Sequence, residues 1–173
     1  MDCVKVLSID GGGIRGLVPA LILQEIERQT GKPIAELFDL IAGTSTGGIL
    51  ACGLTTPDSE GKPRWRAEDM VSLYRDRGKE IFKQSFWRFG GYLNAKYPHK
   101  PIEGIFQELF GNTELKDTLV ETLMVSYDIE NRHPVFFKRH RAREYAERNF
   151  LVRDAVRATS AAPAFFEPAV IQP

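Results

Sequence analysis

The residues able to do chemistry concentrate in two glycine-rich turns. Gly43-Thr44-Ser45-Thr46-Gly47 spells G-x-S-x-G. Between a strand and a helix, a serine in this pattern sits on a strained turn that lifts its hydroxyl clear, and the flanking glycines relieve crowding. The chemistry would be nucleophilic attack by Ser45 on an acyl carbonyl. A small-residue turn with no catalytic role satisfies the same letters, so the strand-turn-helix setting is what favours the nucleophile. The other turn is Asp10-Gly11-Gly12-Gly13-Ile14-Arg15-Gly16. Adjacent glycines there can turn backbone N–H groups outward beside a helix N-terminus, where an anion is favoured. That anion could be a phosphate or a transient oxyanion. In a parallel α/β sheet both turns fall at the carboxyl ends of strands, where ligands bind. A nucleophile on one loop and an oxyanion hole on the next make an acyl-transfer site.

A dinucleotide site is the rival reading, because Gly11, Gly13 and Gly16 also spell G-x-G-x-x-G. That fingerprint needs an acidic residue at the end of the second strand to hold a ribose. Asp39 has nearly the right spacing but stands at the start of its strand, whose end is Gly43-Thr44-Ser45. Arg15 also has no part in the fingerprint. A nicotinamide-dependent oxidoreductase therefore falls behind.

The elements that must position these turns are legible as short apolar runs and periodic stretches. Residues 4–9 (VKVLSI) read as a buried strand ending at Asp10, and Phe38 to Ala42 as a second strand ending at a glycine. Gly16 to Thr30 reads as a helix with Pro19 in its first turn, an inner stripe of Leu17, Leu21, Ile22 and Ile26, and Gly31 as its stop. Further helices are expected over Gly47 to Gly53, Ala67 to Phe82, Ile102 to Phe110 and Val152 to Thr159. Thr122 to Tyr127 and Pro134 to Phe137 read as strands around a turn at Glu130-Asn131. Strands alternating with helices predict an α/β domain with a mostly parallel central sheet.

The chain has 173 residues, 43% of them hydrophobic, enough for one domain with a real core. Lys plus Arg (23) balances Asp plus Glu (23), so no net field draws it to nucleic acid or an anionic membrane. Cys3 and Cys52 are too few for a disulfide scaffold and read as small buried residues. No cysteine and histidine spacing suggests a metal site. No signal peptide or membrane-spanning run is visible, so a cytoplasmic protein is expected. Phe82, Phe86, Trp87, Phe89, Tyr92 and Tyr97 crowd one irregular stretch; packing beneath a long loop is preferred over a lipid-facing lid. Arg139, Arg141, Arg143 and Arg148 read as a solvated helical face interleaved with Glu144 and Glu147 rather than a phosphate site.

D-G-G-G-x-R-G followed by G-T-S-T-G closely resembles the patatin-like phospholipase family. A third match is Ala158-Thr159-Ser160-Ala161-Ala162-Pro163 with Phe165, Phe166 and Pro168; residues 55 to 150 match only loosely. The resemblance implies a three-layer α/β/α domain that cleaves acyl esters of lipids or phospholipids by a Ser-Asp dyad, without metal or cofactor and with peripheral membrane contact compatible. Ser45 would be the nucleophile, within an elbow of Gly43, Thr44, Thr46 and Gly47. The N–H groups of Gly12 and Gly13, with Gly11, would form the oxyanion hole. Arg15 would fix the glycine loop or meet an anionic head group. The family's acid lies in an Asp-Gly turn downstream of the A-T-S-A-A-P segment. The one Asp-Gly pair in residues 1–173 is Asp10-Gly11, so the chain is expected to be the N-terminal part of the domain without its catalytic acid. Local substitutes would be Glu167 or Asp154, or Asp128 with His99, His133 or His140; none stands in the expected turn. A catalytically inactive lipid-binding or interaction module of the same fold is the remaining alternative.

Overall fold

A computed structural model of the chain describes residues 3–82, 100–163, 166 and 168–173, with backbone alone at 100 and 101. Its centre is a sheet in the order β1 (Val6–Ile9), β2 (Leu40–Gly43), β3 (Glu121–Asp128), β4 (His133–Lys138). The first three strands are parallel and β4 returns antiparallel beside β3. The hairpin turn is closed by Asp128, whose Oδ1 accepts from the N–H groups of Glu130 (2.9 Å) and Asn131 (3.0 Å). Helices lie on both sides of this mostly parallel sheet, which is the predicted α/β class.

Register shows why the core lies where it does. Leu7, Ile9, Ile41, Gly43, Thr122, Met124 and Phe137 share one sheet face by alternation. Helix α3 (Thr46–Thr55), buried along its whole length, packs on that face. There the Cys52 thiol meets Met124 Sδ at 3.2 Å and Thr122 Oγ1 donates to Thr55 Oγ1 at 3.3 Å. Helix α7 (Val152–Thr159) joins α3 against β3. On the opposite face Val6 and Phe136 are exposed, 56% and 48%.

Helix α1 (Leu17–Thr30) ends as expected at Gly31, which takes a left-handed φ of 69° and bonds back to Glu27 O at 2.8 Å. It packs chiefly against α4 (Ala67–Phe82). Buried Glu27 organises this corner. Its Oε1 accepts from Ile34 N–H (2.9 Å), at the start of the short helix α2 (Ile34–Leu37), and its Oε2 accepts from Arg66 Nε (2.9 Å) and Ala67 N–H (3.0 Å). Helix α5 (Lys100–Phe110) leans on α7, and α6 (Arg139–Glu144) follows β4 directly. On α6 an Arg141–Glu144 pair stands at 3.0 Å. Arg141, Arg143 and Arg148 are exposed as the sequence predicts, but Arg139 is half-buried and so departs from the expected solvated face.

Three further expectations need correction. Cys3 is exposed: β1 begins only at Val6, and the hydrogen bonds to β2 reach back no further than Lys5, whose carbonyl accepts from Leu40 N–H at 3.3 Å. Among the described residues β1 lies at the edge of the sheet and is only partly buried: Ile9 is buried but Val6 is open to solvent. The buried stripe of α1 is Ala20, Leu23 and Glu27, with Leu21 and Ile22 exposed (Ile22 57%). The helix is apolar around much of its girth, and the flank facing α4 is the one covered. Of the aromatic stretch, Phe82 is half-buried and stacks on Tyr74 at a centroid distance of 6.1 Å; Phe86, Trp87, Phe89, Tyr92 and Tyr97 lie outside the described residues.

Candidate active site

Ser45 stands where the end of β2 turns into α3. Its φ of 55° and ψ of −119° lie in a region that non-glycine residues rarely occupy. The turn is held from both sides. Thr44 N–H donates to Ile9 O (3.3 Å) at the end of β1, Gly47 N–H to Thr44 O (2.9 Å), and Ile49 N–H to Ser45 O (3.0 Å). Ser45 N–H donates to Thr159 Oγ1 at 3.0 Å, across the chain from the last residue of α7. The helix that follows brings the partial positive charge of its N-terminus to the hydroxyl.

The elbow glycines are required by close approach. A Cβ on Gly47 would lie 2.0 Å from Ile9 O, so α3 starts against the backbone end of β1. Thr46 is buried and reaches the other way: its Oγ1 makes a short hydrogen bond with the Tyr74 hydroxyl, which also donates to Thr46 O at 3.2 Å. Burial raises the Tyr74 phenol above its ordinary pKa, against a smaller opposing effect of the Thr46 bond. Tyr74 therefore stays a neutral latch between α4 and the elbow.

The glycine loop abuts the elbow. A Cβ on Gly11 would stand 3.3 Å from Ser45 Cβ and 3.1 Å from Thr44 O. Among the described residues the N–H groups of Gly11 and Gly12 donate to no backbone acceptor. Gly13 has a φ of 59° and opens a 3₁₀ turn (Gly13–Gly16), whose first N–H groups have no partner inside the turn. Arg15 folds back to this loop, its Nε donating to Gly12 O at 3.4 Å and its N–H to the same oxygen at 3.2 Å. Of the roles considered for Arg15, loop support is the one with a contact. Gly16 lies against Thr46 and Tyr74, joining the two turns. An apolar cleft of about 380 Å³ runs from Gly11 and Gly12 between Leu7 and Ile9 of β1 and Leu23 and Ile26 of α1.

The remaining sequence candidates do not converge here. Asp39 Oδ2 accepts from Lys5 N–H at 2.7 Å, at the start of β2 and the far end from Gly11, so it cannot serve a nucleotide bound at the glycine loop. His140 pairs with Glu121 at 2.6 Å, and Glu121 opens β3 at the sheet end opposite Ser45. Asp128 is engaged by its turn, and the Asn131 side chain first of all holds its carboxyl below the usual carboxylate range. His133 is its register partner at the exposed hairpin end. Asp154 sits in the first turn of α7, the end away from Thr159, 3.8 Å from Arg153; burial raises its carboxyl pKa. Glu167 and His99 lie outside the described residues. Among the described residues no side chain bonds to the Ser45 hydroxyl, and no group of His, Cys, Asp and Glu could hold a metal ion. No described helix is long and apolar enough to cross a membrane. The contacts from Thr159 and Tyr74 were not predicted. Thr159 falls inside the A-T-S-A-A-P segment, the one sequence signal that marked its neighbourhood.

Comparison with known proteins agrees with the motifs. Residues 7–173 match the family model for patatin-like phospholipases. The chain is 38% identical to Patatin-T5 of Solanum tuberosum over 96% of its own length and 44% of that protein. It is 36% identical to "Probable inactive patatin-3-Kuras 1" and 37% identical to Patatin-2-Kuras 4 of the same organism, covering 46% of each. It thus spans a little under half the length of these relatives. On the family match and these identities, the chain belongs to the patatin-like phospholipase family.

Proposed function

We propose that the protein containing this domain is a lipid acyl hydrolase in which Ser45 attacks the ester carbonyl. The observation that carries the reading is the strained elbow: Ser45 at φ 55° heads α3, with the glycine loop close enough that a Cβ on Gly11 would touch its side chain. A carbonyl attacked by Ser45 Oγ would form a tetrahedral oxyanion beside the N–H groups of Gly11, Gly12 and Gly13. Each such donor is worth about 3–4 kcal/mol of barrier in comparable sites. An aspartate from an Asp-Gly turn beyond residues 1–173 would take the Ser45 proton and return it to the leaving alcohol. Water, activated by the same carboxylate, would then hydrolyse the acyl-enzyme. The chemistry requires no metal or organic cofactor. A lipid or phospholipid ester is the proposed substrate, with peripheral contact at the membrane surface and a cytoplasmic setting. Residues 1–173 alone would turn over esters negligibly, since a serine hydroxyl without its base is a poor nucleophile at neutral pH.

An inactive module of the same fold is the second reading, favoured by the name of one relative, which describes that protein as inactive. One experiment separates the two. In the whole protein, Ser45→Ala should abolish ester hydrolysis and labelling by a serine-directed phosphonate, with the circular dichroism spectrum unchanged. Undiminished turnover by the alanine variant removes Ser45 from the mechanism, and a wild-type protein that neither labels nor hydrolyses short-chain esters favours the inactive module.

A further inference from the structure

We propose that Thr159 is a positioning residue for the nucleophile, its hydroxyl clamping the Ser45 backbone and so fixing where Oγ stands. The inference rests on the hydrolase reading of Ser45. A serine at φ 55° and ψ −119° keeps that conformation only where its surroundings over-determine it. Its N–H precedes the first turn of α3 and has no acceptor inside the helix. Thr159 Oγ1 supplies one at 3.0 Å.

The hydroxyl is not free to do otherwise. It donates its own proton to Val125 O at 2.5 Å, in the part of β3 beyond the Gly43–Met124 pair where β2 stops. One hydroxyl thus bridges a strand carbonyl to the elbow N–H, and donating in one direction strengthens it as an acceptor in the other. Thr159 is 7% exposed, so water competes for neither bond. Its methyl fixes the rotamer: a Cβ on Gly48 would come within 2.8 Å of Thr159 Cγ2, so the methyl fills the notch that glycine leaves in α3. The preceding residue is tied down as well, Ser126 Oγ donating to Ala158 O at 3.0 Å. The end of α7, strand β3 and the elbow are joined through this side chain, whose two branches both have a partner.

The test compares Thr159→Val, which keeps the shape and loses the hydroxyl, with Thr159→Ser, which keeps the hydroxyl and loses the methyl, both in the whole protein. Since a misplacement of about 1 Å costs about 10²-fold in rate, the valine variant should lose roughly 10- to 100-fold in kcat on a short-chain ester. KM should stay within about twofold, phosphonate labelling of Ser45 should slow in parallel, and Ser45 amide hydrogen exchange should accelerate; serine should restore most of each. A folded valine variant with wild-type kcat and labelling overturns the proposal, and so does a serine variant no better than valine. If valine does not fold, Thr159→Ser is set against Thr159→Ala, and equal kcat in those two overturns it. A wild-type protein that shows no labelling at Ser45 refutes the hydrolase reading instead. Amide exchange at Ser45 then decides the clamp by itself, with unchanged exchange in the valine variant counting against it.

Discussion

Replacing Gly47 by alanine probes the coupling of the Ser45 elbow and the sheet most directly. The added Cβ would lie 2.0 Å from Ile9 O, 2.8 Å from Ile9 C and 3.1 Å from Asp10 O, all backbone atoms that cannot rotate away. Real Cβ contacts stay beyond 3.0 Å, so the start of α3 and the end of β1 must part by about 1 Å in a close-packed interior. Overpacking of this kind costs about 1–3 kcal/mol, and the upper end applies where neither side can relax by changing a rotamer. The Thr44 N–H to Ile9 O bond, already 3.3 Å long, spans the same junction and would weaken, adding about 0.5–1 kcal/mol. A total of about 3.5–4 kcal/mol corresponds to a fall in Tm of about 7–16 °C for a domain of this size. The same displacement moves Ser45, and about 1 Å there is worth about 10²-fold in rate. Urea unfolding reads the first effect, and the rate of phosphonate labelling under folding conditions reads the second. Gly104→Ala is the control of opposite sign: Gly104 lies inside α5 and, among the described residues outside its own helix turn, no atom comes within 4 Å of a new Cβ, so alanine should stabilise by about 1 kcal/mol. A Gly47→Ala protein within about 0.5 kcal/mol of wild type, labelled at the wild-type rate, refutes the claim that contact with β1 sets the elbow.

The Glu27 junction and the buried acids of the core give further expected outcomes. Glu27→Ala removes the acceptor for Ile34 N–H, Ala67 N–H and Arg66 at once and should cost about 3–4 kcal/mol in urea unfolding; a loss below about 1 kcal/mol would show that water replaces the carboxylate without penalty. Burial raises the Cys52 thiol above its ordinary 9.0 and the Tyr74 phenol above its ordinary 10.0. Both therefore stay protonated in the fold at pH values where the unfolded chain has released its protons. Stability from each is complete below the unfolded pKa and declines as pH rises above it, by up to about 1.4 kcal/mol per pH unit and group. Cys52→Ala should move the onset of that decline from about pH 9 toward pH 10, measured as unfolding free energy against pH; an unmoved onset would show that the thiol is not involved.

How far the site could be read from sequence depended on the range of the interactions that make it. Ser45 and its flanking glycines were legible because a strand-turn-helix elbow is a local conformation, and its demands fall on adjacent residues. The spans of β3, β4, α4 and α7 followed likewise from apolar runs and helical periodicity within each segment, and their ends moved by only a residue or two. The flank of α1 that is covered could not be read so. Leu21 and Ile22 are as apolar as Leu23, and only the docking of α4 selects Ala20, Leu23 and Glu27 for burial. Cys3 and Val6 failed similarly, since nothing in a short apolar run says whether its strand will be flanked on both sides or lie at an edge.

By itself, then, the sequence determined a serine on a glycine-flanked elbow, a glycine loop able to present N–H groups, an α/β class and a family. The tertiary structure decided what holds the serine. Thr159 stands 114 positions along the chain from Ser45, and Tyr74 reaches Thr46 from a different helix. A hydroxyl clamps a strained backbone only when the fold brings it within about 3 Å at the right angle. No local propensity encodes that approach. It is set by how α4 and α7 pack around α3 and the sheet, a property of the whole core rather than of any segment.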